Sequence, residues 1–144
     1  MRPRPYLRAY MAGIVMPTLV LLWIASIDAY HVFYLEVPSQ FVFGLPSRPL
    51  ERTILFPMAI VPNLWGAWNI VWVATKARTR LPIGAHGSLL PAFLVPGGIL
   101  LGRALELFHL QMWYALLAIP VGMAFYYLAW KFVVGFLNQE LGIA

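Results

Sequence analysis

The sequence predicts an all-α integral membrane protein, a four-helix bundle of proline-bent transmembrane helices with both termini cytoplasmic. Two observations carry that expectation. Residues 9–27, 53–75, 81–102 and 107–130 contain no Asp, Glu, Lys or Arg, and each is close to the roughly 20 apolar residues that a helix needs to cross the hydrocarbon core of a bilayer. The 144-residue chain is 62% hydrophobic and 10% charged, with a mean hydropathy of +0.78. Too few polar side chains remain to cover a soluble globule of this size. One transmembrane domain over residues 1–144 is expected, with spans near 9–30, 53–75, 88–108 and 110–136 and an outer interfacial loop near 31–52.

The charges set the expected orientation. Arg2, Arg4 and Arg8 precede the first span, Lys76, Arg78 and Arg80 separate the second from the third, and Lys131 lies near the end of the fourth. If the spans alternate, those seven cations share one side, and cytoplasmic ends accumulate Lys and Arg. The net charge of +5 is thereby explained by topology, with anionic lipid head groups as the contact of segment 76–80. No nucleic-acid partner is implied. A plasma or inner membrane is the expected setting.

Arg2-Pro3-Arg4-Pro5 disfavours a regular helix, so the first helix should start between Tyr6 and Ala9. Its apolar run resembles a secretory signal but is too long, and Asp28, Tyr30 and His31 follow without a small-residue cleavage site. A retained first helix is expected. The next connection, with Pro38, Pro46, Pro49 and the aromatic residues Phe33, Tyr34, Phe41 and Phe43, suits an irregular segment on the outer surface. The second helix carries Trp65, Trp68 and Trp72 at helical spacing, a stripe suited to helix packing, to lipid, or to a flat ligand such as a quinone. Asn63 and Asn69 are its polar intramembrane groups. Pro82, Gly84 and Gly87 predict a loop before the third helix. On that helix Gly98 and Gly102 have the small-xxx-small spacing that permits close helix approach. In the fourth, Tyr126, Tyr127 and Trp130, followed by Lys131, suit a cytoplasmic interfacial anchor.

Pro17, Pro62, Pro96 and Pro120 each follow a short apolar string about two turns into an expected helix. Each removes a backbone hydrogen bond and crowds the preceding turn, so four bends are expected. A repeated two-helix unit would also place the prolines this way, although proline is common in membrane helices.

The chemistry-bearing pattern is a carboxylate three residues before a histidine, at Asp28 and His31 and again at Glu106 and His109. Residues three apart share a helix face, and both pairs fall on the expected outer side. Together they offer two oxygen and two nitrogen ligands for a divalent metal. His31 and His109 as axial haem ligands form a weaker variant, and Asp28 with Glu106 as an ion or proton site a third. The plain alternative is ordinary interfacial placement, with Arg103 in an ion pair with Glu106 three residues on. With no cysteine, disulfides and thiolate ligation are excluded. No phosphate-binding loop, nucleophile elbow or His-Glu-x-x-His motif occurs, so the sequence leans away from an enzyme. The leading expectation is an accessory or assembly subunit, or a homo-oligomer, acting through helix packing with the bilayer and other membrane subunits as partners. A small transporter or ion-binding protein follows, then a haem or metal redox protein.

Overall fold

The computed structural model describes the backbone of residues 4–34, 41–42, 45–104, 111 and 113–143, and side-chain surroundings for residues 4–27, 29–30, 34, 60–104, 111 and 113–143. The described elements are α1 (Pro5–Phe33), β1 (Phe41–Val42), β2 (Leu45–Pro46), α2 (Ser47–Thr79), α3 (Ile83–Ser88), α4 (Pro91–Ala104), α5 (Tyr114–Ala129), a π turn (Trp130–Val134) and α6 (Gly135–Glu140). The protein is thus helical, apart from a two-residue antiparallel pair that sets Phe41 against Pro46 and Val42 against Leu45.

Among the described residues, three stretches are long and apolar enough to cross a membrane: Pro5–Ile27, Ile83–Ala104 and Tyr114–Glu140, of 23, 22 and 27 residues. At about 1.5 Å per residue, even the shortest exceeds a hydrocarbon core of about 30 Å. Their outward faces are apolar. Trp23 is 63% exposed, Leu116 75% and Val121 70%, a pattern that water would penalise and lipid does not.

Local chemistry explains the boundaries. Pro5 sits within the first turn of α1, where its missing N–H costs nothing, so the helix starts at the proline instead of after it. α2 stops at Arg80, which adopts a left-handed φ of 54° and donates its N–H to Lys76 O at 3.0 Å; Pro82 lies two residues beyond. Lys76 and Arg78 occupy the last turn of α2, where cations complement the helix dipole. At the other terminus Gly142 has a φ of +66°. Gly142 N–H bonds Gln139 O and Ile143 N–H bonds Asn138 O, both at 2.9 Å, a Schellman closure that only a left-handed residue at Gly142 permits.

Several expectations change. The connection between the first two helices is shorter than residues 31–52, because α1 continues to Phe33 and α2 begins at Ser47. Gly84 and Gly87 lie in a helix, α3, and the turn at Leu89–Leu90 joins it to α4. Tertiary contact overrides the local breaking tendency of glycine here: a Cβ on Gly87 would stand 2.0 Å from Trp130 Cγ, and one on Gly84 would stand 3.1 Å from Tyr127 Cε2. Pro17, Pro96 and Pro120 are inside helices, and Pro62 falls within the range of α2.

The helices pack as two pairs. α1 lies along α2, while α3 and α4 lie against α5 and the π turn. The first pair meets backbone to backbone at Gly13, where a Cβ would be 2.6 Å from Trp65 O and 2.8 Å from Gly66 Cα. Ala9, Ala12 and Gly13 make that face of α1 small. The glycines that bring helices together in this way are therefore Gly13 and Gly66. Around the equivalent point of Gly98, no heavy atom of the described residues lies within 4 Å, although Gly102 is buried.

Candidate functional site

The two pairs join at one end of the bundle, where the N-terminal turn of α1, the C-terminal half of α2 and the C-terminus of the chain converge. At its centre are Asn69 and Asn138, each fully buried. Asn69 Nδ2 donates to Asn138 Oδ1 at 2.9 Å and to Ala9 O at 2.8 Å, and Asn138 Nδ2 donates back to Asn69 Oδ1 at 3.0 Å. The reciprocal pair links α2 to α6, and the third bond ties both to α1. Nearer the surface, Arg8 Nη1 donates to Leu141 O at 3.1 Å and Lys76 Nζ to Ile143 O at 2.7 Å. Lys76 also lies 5.2 Å over the Trp72 ring. Two cations thus hold carbonyls at and just beyond the C-cap of α6.

The π turn makes this seam possible. An α-helix advances about 3.6 residues per turn, so residues spaced by four drift around its surface. The wider turn, closed by the Gly135 N–H to Trp130 O bond, opposes that drift. Trp130, Val134 and Asn138, spaced by four, are all buried.

Beside the amides lies an aromatic cluster. Trp65 packs on Tyr126 with ring centroids 4.7 Å apart and on Trp130 at 5.5 Å. Trp68 packs on His86 at 4.9 Å and Phe93 at 5.8 Å, and His86 faces Trp130 at 6.2 Å. Trp68 Nε1 donates to His86 O at 2.9 Å. Leu90, Ala129 and Val134 complete the buried core with Trp65 and Trp130. Within it Trp65 shares a side-chain hydrogen bond with Tyr126, while His86 Nδ1 and Trp130 Nε1 are buried without a hydrogen-bond partner among the described residues.

The residues singled out from sequence fare differently. Asn69 is central. Asn63 is exposed and accepts a hydrogen bond at Oδ1 from Tyr10 Oη, so it joins α2 to α1 beyond any local role beside Pro62. Of the tryptophan stripe, Trp65 and Trp72 are buried, which makes it a packing face. Trp130 is not an interfacial anchor: the π turn carries it inward to complete burial, while Lys131 beside it is exposed and stacks over Tyr127 and Phe132 at 5.7 and 5.2 Å. Asp28 and His31 lie on α1 but outside the residues whose side chains are described, and Glu106 and His109 lie outside the described residues altogether. The expected ion pair of Arg103 with Glu106 falls outside them too. No group of three or more metal-binding side chains occurs among the described residues, and neither metal binding nor transport gains support. Asn138 and His86 were not anticipated. The only signal in sequence was a polar residue within or beside a long apolar stretch.

Compared with family models, with curated proteins and with solved structures, the chain has no significant match.

Proposed function

We propose that this is a small multi-pass membrane protein that acts by assembly, as an accessory subunit or as a homo-oligomer, through packing of its helices. One contrast supports the reading. The amides of Asn69 and Asn138 are spent on holding this chain's own helices together, whereas the outward faces of α1 and α5 are apolar and no described residue packs within 4 Å of the Cβ position of Gly98 on α4. Polar groups fix the scaffold, and smooth apolar surface is left for lipid or for another membrane helix.

In this reading α2 supplies a fourth span, and the end holding Arg4, Arg8, Lys76, Arg78, Arg80 and Lys131 faces the cytoplasm. Light scattering on protein extracted from its native membrane in mild detergent tests the proposal. The protein component should exceed the 16.3 kDa of one chain, as a whole multiple or as a stoichiometric complex. Gly98→Leu should reduce it to the single-chain mass if α4 is the contact. A single-chain mass for the unmodified protein in every mild detergent would overturn the proposal.

A further inference from the structure

We infer that the closed end of the bundle contains a binding site for one neutral, hydrogen-bonding oxygen atom, bounded by His86, Trp130 and Trp65. His86 Nδ1 and Trp130 Nε1 are buried with no hydrogen-bond partner among the described residues, and an unpaired polar group away from water is costly enough that such groups are normally satisfied. The rings adjoin: Trp130 is 6.2 Å from His86 and 5.5 Å from Trp65 between centroids. A single oxygen shared by two such nitrogens would stand about 3 Å from each.

Nearby polar groups are committed elsewhere, Trp65 and the Tyr126 hydroxyl to each other. Trp68 Nε1 is held by His86 O, and the Asn69 and Asn138 amides are held by each other and by Ala9 O. Nor can Trp130 turn away, because Gly87 lies flat against its indole, with the Cβ position 2.0 Å from Cγ. Trp130 also opens the π turn, a distortion that recurs at functional sites in helices. The buried core around these rings consists of Leu90, Ala129 and Val134, which favours an uncharged ligand. His86 is only three positions into the stretch Ile83–Ala104, close to the water boundary.

Two sources share this chemistry: an internal water, and the carbonyl oxygen of a membrane-dissolved quinone lying among the aromatic faces. A carbonyl only accepts and so needs Nδ1–H, whereas a water that accepts from Trp130 Nε1–H can either donate to a bare Nδ1 or accept from Nδ1–H as well. Nitrogen-15 spectra of the whole protein, labelled at His and Trp and reconstituted in quinone-free lipid nanodiscs, distinguish them. A hydrogen-bonded Trp130 Nε1–H resonance with cross-peaks to water in the quinone-free preparation establishes the water, whichever His86 tautomer accompanies it. The same resonance arising only after a short-chain ubiquinone is added, with Nδ1–H, establishes the carbonyl ligand. A Trp130 indole at its non-hydrogen-bonded position in both preparations overturns the site. His86→Gln should keep most of the hydrogen-bonded shift, and an unchanged shift in His86→Phe would also overturn the role given to His86.

Discussion

Replacing Asn69 by Leu, which is similar in size, removes the two reciprocal bonds to Asn138 and the bond to Ala9 O. Hydrogen bonds between membrane helices average about 0.6 kcal/mol each, so three together contribute about 2 kcal/mol. Asn69→Leu also leaves the Asn138 amide buried and unpaired, adding roughly 1 kcal/mol or more, for a total of about 3 kcal/mol. Asn138→Leu breaks two bonds and leaves Asn69 still bonded to Ala9 O, at about 2 kcal/mol by the same reckoning. The double variant loses the same three bonds but strands no amide, and should fall only about 2 kcal/mol below the unmodified protein. The singles then overshoot the double by about 3 kcal/mol, a coupling well beyond what independent sites show. Reversible unfolding by sodium dodecyl sulfate in mixed micelles, followed by tryptophan fluorescence, measures all four proteins. Additivity within about 0.5 kcal/mol would show that the amides do not form a pair, and would remove the seam between α2 and α6.

Gly87→Ala should destabilise the protein by up to about 3 kcal/mol in the same unfolding assay, because the added methyl overlaps the fully buried Trp130 ring and neither backbone nor indole has room to yield. Gly97→Ala, at an exposed position of α4 with no neighbour among the described residues within 4 Å, should be neutral or stabilise by about 1 kcal/mol through helix propensity; equal losses at the two glycines would contradict the packing described. Lys76→Met removes the hydrogen bond to Ile143 O. Hydrogen exchange at the Gly142 and Ile143 amides should then quicken about fivefold, the effect of about 1 kcal/mol, and unchanged exchange would show that Lys76 does not clamp the C-terminus. Arg8→Met should act in the same direction through Leu141.

What sequence revealed, and what it hid, follows from the range of the interactions concerned. Charge-free runs are a local property set by the thickness of the bilayer, so the helical stretches around residues 9–27, 81–102 and 107–130 were legible where described. Asn69 stood out as an amide inside such a run. Its partner did not, since Asn138 follows Lys131 and lies beyond the expected end of the fourth span at residue 136, and the π turn that carries it inward leaves no local signature. The same turn overturns the reading of Trp130, whose neighbours Tyr126, Tyr127 and Lys131 match an interfacial belt. Glycine was ambiguous for a similar reason. Gly98 and Gly102 have a recognisable spacing within one helix, but the backbone-to-backbone contact of α1 with α2 joins Gly13 to Trp65 and Gly66, the two glycines being 53 positions apart and meeting only through the crossing of α1 and α2. Gly84 and Gly87 read as breakers because nothing near them in sequence reveals Trp130 overhead.

The convergence of the N-terminal turn, the 76–80 segment and the C-terminus at one face is the claim on which the packing, the orientation and the buried site all depend. Because the chain has no cysteine, single Arg4→Cys, Arg78→Cys and Glu140→Cys variants, each at an exposed position, report on it without background in sealed vesicles of known orientation. A membrane-impermeant maleimide should modify all three from the cytoplasmic face alone. Modification of one or two of them from the opposite face would contradict the bundle described, and modification of all three from there would reverse the proposed orientation.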